Sequence, residues 1–163
     1  MPARTLQLQI RVTPQQKAAL RARARAAGVG MSEYVLARVL PESRDRFRAL
    51  VAALANTADA RAVLAELNEM LTGLSASELA AAVEQAELRG LSLYLANYLA
   101  AMVEKAADRK RVMPPAWTRR VEPLESPHFA SSLVSLRPHL LRNAPVPFKR
   151  RNIFVDASIG DRV

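Results

Sequence analysis

The first forty residues predict one amphipathic β-strand and no second strand to pair with it. Residues 5–12 alternate strictly between two kinds of side chain. The apolar ones are Leu6, Leu8, Ile10 and Val12, and the polar ones are Gln7, Gln9 and Arg11. A single strand leaves its backbone N–H and C=O groups unpaired, and about 40 residues are too few for a stable core. We therefore expect this segment to pair antiparallel with a second copy, which makes the protein a homodimer.

Two helices are predicted directly after the strand. Thr13 and Gln16 form a capping box for a helix over about residues 14–27, and Gly28 supplies its left-handed end. Ser32 is the expected N-cap of a second helix, which stops at Pro41. The segment therefore reads as one strand and two helices.

The polar face of the paired strands offers the side chains that read DNA bases. Glutamine can bond bidentately to adenine and arginine to guanine, so Gln7, Gln9 and Arg11 suit a major groove. Residues 4–41, with the turn and helix start Gly28–Tyr34, resemble the ribbon-helix-helix family of DNA-binding dimers. The resemblance implies that these three residues contact the bases of a double-stranded operator. It also implies that the backbone N–H groups around Met31 and Ser32 bind phosphate.

A row of cations lies on one face of the first predicted helix. Lys17, Arg21 and Arg25 follow one another at four-residue intervals with no acidic residue opposite them, so we expect them to contact DNA phosphates. Taken singly, the strand is also compatible with an ordinary edge strand, and the cations with a solvated helix face. Together they favour DNA binding.

Charge and proline divide the chain into three parts. The net charge of +9 is distributed as +6 over residues 1–40, −4 over 41–108 and +7 over 109–163. We predict a mainly α-helical protein with a DNA-binding and dimerisation segment at 1–41, a helical segment at 42–111 and a partner-binding tail at 112–163. Seven of the ten prolines fall between Pro114 and Pro147, which favours an extended tail.

The middle part predicts four amphipathic helices in a bundle. Ser75 and Glu78 form a capping box for the third, which is expected to stop at Gly90. The apolar stripes are Phe47, Leu50, Val51 and Leu54 in the first helix; Ala60, Val63, Leu64, Leu67, Leu71 and Leu74 in the second; and Leu91, Leu95, Leu99, Met102, Val103 and Ala106 in the fourth.

The tail combines clustered cations with aromatic residues. Extra phosphate contacts would explain the cations alone. The apolar residues around Lys149–Asn152 indicate instead a segment that anchors to a protein and places arginine in an acidic cleft. The candidate partner-binding residues are Trp117, Phe148, Lys149, Arg150, Arg151, Asn152, Phe154 and Asp156.

The tail also resembles the C-terminal region of proteins encoded beside nucleotidyltransferase-like toxins. The resemblance rests on Pro114–Trp117, Arg137–Leu141 and Pro147–Ala157. It implies a cognate toxin as the partner, with Lys149, Arg150 and Arg151 occupying the cleft that would otherwise hold substrate phosphates.

Several classes are excluded by what the sequence lacks. No cysteine is present, so disulfides and thiolate metal sites are excluded. His128 and His139 have no carboxylate partners at metal or triad spacing, and the five glycines form no nucleotide-binding loop. No apolar run reaches the roughly 18 residues of a membrane span. We expect a cytoplasmic protein that is not an enzyme and needs no cofactor.

These observations predict a type II antitoxin that represses its own operon through the head (residues 1–41) and neutralises a toxin through the tail (residues 112–163). Two alternatives share the same head. One is a relaxosome accessory protein for plasmid mobilisation, which would recruit a relaxase. The other is a stand-alone transcriptional repressor with an effector pocket in the middle helices.

Overall fold

The computed structural model describes residues 9–39 and 42–156, which form a mainly α-helical protein. The helices are α1 Pro14–Ala26, α2 Met31–Val39, α3 Glu42–Asn56, α4 Ala60–Gly73, α5 Ala76–Ala82, α6 Leu93–Arg109, α7 Arg137–Asn143 and α8 Val146–Lys149. Short 3₁₀ helices span Ala116–Arg120 and Val134–Leu136. Strands β1 (His128–Phe129) and β2 (Ile153–Phe154) pair in parallel, with His128 opposite Ile153. Within the described ranges, no helix combines the length and apolarity that crossing a membrane requires.

The predicted ends of α1 are confirmed. The Thr13 side chain accepts from the Gln16 N–H at 3.2 Å, and the Gln16 side chain accepts from the Thr13 N–H at 2.9 Å. At the other end Gly28 has a φ of +70°, and the Val29 N–H reaches back to the Ala24 carbonyl at 3.1 Å. The prediction that Ser32 caps α2 is wrong, because the helix already begins at Met31.

The predicted strand is not confirmed. Of its residues, 9–12 are described, and they form neither strand nor helix. Their side chains are exposed, including Ile10 at 55 % and Val12 at 40 %. The prediction needed an antiparallel neighbour from a second copy, which a single chain does not supply. The remaining residues of the predicted strand, Gln7 among them, lie outside the described part.

The middle helices form the core that their apolar stripes predict. Phe47 and Leu54 of α3, Leu67 of α4, and Leu99 and Val103 of α6 are at most 1 % exposed and belong to one cluster. Helix α3 packs against α4 and α5, α6 packs against α4, and α2 packs on α5. The head is thus joined to the bundle through α2.

The third middle helix is shorter than predicted. It begins at the predicted capping box but ends at Ala82, eight residues before Gly90. The Val83 carbonyl just beyond it accepts a 2.8 Å hydrogen bond from the indole N–H of Trp117. The tail therefore satisfies a backbone group that a longer helix would have used internally. Gly90, with a φ of +86°, lies in the turn that leads to α6.

The prediction of an extended tail is wrong. Residues 112–156 include α7 and α8, each with proline in its first turn, where no backbone N–H is lost. Helix α8 packs on α6, and Phe148 and Ile153 are fully buried in the main core. Phe148, one of the aromatic residues expected to anchor a partner, instead packs against Tyr98 of the chain's own α6. A smaller cluster of Leu140, Ala144 and Phe154 lies beside it.

A buried arginine connects the tail to α6. One terminal nitrogen of Arg151 donates to Asn97 Oδ1 at 3.1 Å and to the Val121 carbonyl at 3.3 Å. The other donates to Glu104 Oε1 at 2.6 Å and to the Thr118 carbonyl at 2.7 Å. Nε is buried without a hydrogen-bond partner. Asn97 in turn donates to the Leu93 and Glu122 carbonyls. One polar network therefore joins α6, the 3₁₀ helix Ala116–Arg120 and the turn after α8.

We expect Arg151→Met to be strongly destabilising. The variant leaves Glu104 as an uncompensated, largely buried carboxylate, and removing one member of such a pair typically costs about 3–5 kcal/mol. The measurement is urea unfolding. Arg150→Met is the matched control, because Arg150 is exposed and surface changes usually stay within about 0.5 kcal/mol. Equal stability of the two variants would contradict this role of Arg151.

Burial of Tyr98 predicts an alkaline instability. Its ring contacts Phe148 edge-on, with centroids 5.2 Å apart, and burial followed by the charge of Tyr94 raises the pKa of Tyr98 to about 12 from 10.0. The unfolded phenol ionises first. The stability linked to Tyr98 is therefore complete below pH 10 and is lost as the pH rises towards 12. Tyr98→Phe should make the free energy of unfolding less dependent on pH across this range. Identical slopes for the two proteins would contradict the prediction.

Candidate nucleic-acid interface

Helix α1 presents a continuous cationic surface. Lys17, Arg21 and Arg25 are all exposed, and so is Arg23, which lies off their four-residue row. The helix contains no acidic residue, and only Ala24 is buried. Within the described ranges none of these four cations forms an ion pair. The surface is therefore available to a polyanion.

The segment before α1 presents polar and apolar side chains in alternation. Gln9 and Arg11 are exposed, and so are Ile10 and Val12 between and beside them. The capping box at Thr13 fixes where this segment enters α1. Two exposed aliphatic side chains at alternate positions form the apolar face that pairing with a second copy would bury.

The start of α2 follows a tight turn after α1. Met31 is half-buried and Ser32 is exposed in its first turn. The first backbone hydrogen bond of the helix runs from the Tyr34 N–H to the Gly30 carbonyl at 2.9 Å, so the N–H groups before Tyr34 have no partner from within the helix. Tyr34 is 8 % exposed. The first turn also contains Glu33, a carboxylate that a phosphate at this end would have to avoid.

Most of the predicted partner-binding residues are used inside the fold. Trp117 binds the end of α5, Phe148 and Phe154 are buried, and Arg151 is 5 % exposed. Asn152 donates from its side chain to the Leu124 carbonyl at 2.6 Å. In this conformation these five side chains hold the tail against the protein itself.

The other three predicted partner-binding residues lie nearer the surface. Arg150 is exposed. Lys149 is half-buried and donates from Nζ to the Arg142 carbonyl at 2.7 Å. Asp156 is exposed, with a carboxylate oxygen 3.6 Å from His139 Nε2. The structure thus separates the predicted Lys149–Arg151 cluster, because Arg151 points into the core while Arg150 is exposed.

Sequence patterns did not identify the partners of Arg151. Asn97 and Thr118 are fully buried, and Glu104 is 15 % exposed at its side chain. Asn97 lies off the apolar stripe predicted for α6, so its burial had no sequence signal. The backbone carbonyls that accept from Arg151 have no sequence signature.

The stand-alone repressor alternative requires an effector pocket in the middle helices, where a small cavity lies between α4 and α6. It has a volume of about 50 Å³ and is lined in part by Thr72, Lys105, Arg109 and Lys110. Burial, and then the charge of Arg109, lower the pKa of Lys105. Small-molecule sites typically have volumes of about 300–1,000 Å³. This cavity is too small for a metabolite. No cluster of three metal-ligating side chains occurs in the described ranges.

Comparison with known protein families gives a match in the N-terminal part of the chain. No curated protein and no solved structure matches. Residues 2–74 match the family model of NikA-like proteins, described as mobilization protein NikA. The matched range includes the candidate interface and ends one residue after α4.

Proposed function

We propose that this protein is a DNA-binding accessory protein of plasmid mobilisation, that is, a component of the relaxosome and not an antitoxin. The match of residues 2–74 to a mobilization-protein family carries the proposal. The exposed cations of α1 and the exposed alternation at residues 9–12 lie within the matched range and support it. The predicted antitoxin role has no such support. It depends on the tail, and the match ends at residue 74, before the tail begins.

In the proposed role, two copies pair through their N-terminal segments. Burying Ile10 and Val12 against the second copy would remove apolar area from water and satisfy the backbone groups of residues 9–12. The same pairing would bring Gln9 and Arg11 of both copies onto one face. Ribbon-helix-helix geometry is therefore the arrangement we propose for the head.

The proposed DNA contacts divide into base readers and phosphate binders. Gln7, Gln9 and Arg11 would contact base edges, which carry sequence information. Lys17, Arg21 and Arg25 would contact phosphates, which carry affinity without sequence preference. The N–H groups at Met31 and Ser32 are proposed as further phosphate contacts. None of these roles requires a catalytic group, and we place the protein in the cytoplasm.

The antitoxin alternative would need a different state of the tail. Arg151, one of the three residues expected to occupy the toxin's cleft, already has four hydrogen bonds inside the fold, one of which is the ion pair with Glu104. Releasing it would leave Glu104 and Asn97 without this partner, at a cost of several kcal/mol. A toxin would therefore have to replace these contacts or use Lys149 and Arg150 alone.

Arg11 and Arg25 should differ in what they contribute to DNA binding. We expect Arg11→Ala to weaken binding to the preferred sequence by about 1–3 kcal/mol and to relax sequence preference, because a bidentate guanine contact is lost. Arg25→Ala is the matched control and should weaken binding equally on all sequences. The measurement is competitive binding to duplexes that differ by single base pairs. Equal losses on every duplex would make Arg11 a phosphate contact as well.

The proposed relaxosome role is tested in a DNA-nicking assay reconstituted from purified proteins. We expect the purified protein to bind DNA of its transfer origin and to increase site-specific nicking by the cognate relaxase. Arg11→Ala should reduce both effects. Binding without any effect on nicking would favour the stand-alone repressor. Rescue of growth arrest caused by a co-encoded protein would favour the antitoxin.

A further inference from the structure

A second group of exposed cations follows the head and the acidic part in the sequence, just beyond α6 and in the 3₁₀ helix Ala116–Arg120 that packs against α6. Residues 109–120 contain five cations and no acidic residue. Three of them, Arg111, Arg119 and Arg120, are exposed and form no ion pair within the part of the chain that the structure describes. We name these three arginines the α6-end surface. Lys110, beside them, donates to the Thr72 carbonyl at 2.9 Å.

Hydrogen bonds from the protein interior fix the backbone on both sides of Arg119 and Arg120. The carbonyls of Thr118 and Val121 both accept hydrogen bonds from the buried guanidinium of Arg151, at 2.7 and 3.3 Å. Thr118 is fully buried. The two arginines between these fixed positions therefore present their charges from a rigid backbone, which lowers the entropy lost on binding.

Arg111 is presented by an unusual helix end. It has a φ of +54°, the left-handed conformation that usually calls for glycine after a helix. The turn is closed by hydrogen bonds from the Arg111 N–H to Asp108 and from the Val112 N–H to Ala107, at 3.1 and 3.0 Å. The 3₁₀ helix with the other two arginines then packs against α6.

The distribution of acidic side chains separates this surface from the head. The part of the chain between them has a net charge of −4 over residues 41–108, and Glu66, Glu69 and Glu84 are exposed there. Residues 109–120 reverse the sign of the charge after this part, and an exposed row of arginines attracts a polyanion.

We propose that the α6-end surface binds the phosphate backbone of the same duplex DNA, as a second and sequence-independent contact. This inference rests on the proposed DNA binding by the head. Arginine suits phosphate because its planar guanidinium offers paired donors and is always charged. The surface contains no base-reading pattern and contributes affinity and salt dependence only.

The test uses two triple variants of the full chain with the same net charge. The first, R111Q/R119Q/R120Q, removes the α6-end surface. The second, R48Q/R61Q/R89Q, removes three exposed arginines of the acidic part and serves as the matched control. Binding of a duplex carrying the preferred sequence is measured over a series of salt concentrations, and the slope of log affinity against log salt is compared.

We expect the first variant to lower this slope by about 2–3, since each lost phosphate contact removes about 0.9. The control should keep the wild-type slope, and both variants should unfold at the wild-type temperature because all six side chains are exposed. R111K/R119K/R120K should restore most of the slope, which shows that charge and not a local rearrangement is responsible.

Different results would overturn the proposed function and the inference about the α6-end surface. If the wild-type protein binds no DNA, the proposed function fails, and this inference fails with it. If the wild-type protein binds DNA but the first variant and the control have equal slopes, the head alone contacts DNA and the inference is overturned. Equal slopes together with loss of binding to vesicles of anionic lipid would assign the surface to a membrane instead.

Discussion

The fold depends on one buried guanidinium. Arg151 is the point at which the last third of the chain is attached to α6, and it satisfies two side chains and two backbone carbonyls at once. A buried charge is costly unless it is paired and hydrogen-bonded. Glu104 supplies the opposite charge at 2.6 Å, so the contact specifies a single docking position for the tail as well as stabilising it.

This constraint makes α6 the central support of the structure. One part of its surface completes the bundle with α4 and α5, and another is covered by α8 and the 3₁₀ helix. Proline-rich sequence is then compatible with order, because short helices with proline in their first turn pack on a preformed surface. The described residues ahead of α1 have no such support. Residues 9–12 remain exposed beside α1.

Structural features that depend on residues close together in the sequence were predicted correctly. The capping boxes at Thr13 and Ser75, the left-handed Gly28 and the apolar stripe of α6 are all confirmed. Contacts between distant segments were not predictable in this way. The order of the tail and the early end of α5 both depend on pairs such as Trp117 with Val83, separated by 34 residues. For the interface, the sequence identified the cations that are exposed on α1. The base-reading roles of Gln7, Gln9 and Arg11 remain predictions, and Gln7 lies outside the described part.

The exposed aliphatic side chains at Ile10 and Val12 have a consequence for how the protein responds to its own abundance. If a second copy covers them, the DNA-binding form appears in proportion to the square of the free-chain concentration while single chains predominate. Occupancy of a DNA site would then rise faster than expression. Two hydrophobic residues ahead of α1 would in this way make DNA occupancy respond more than proportionally to gene dosage.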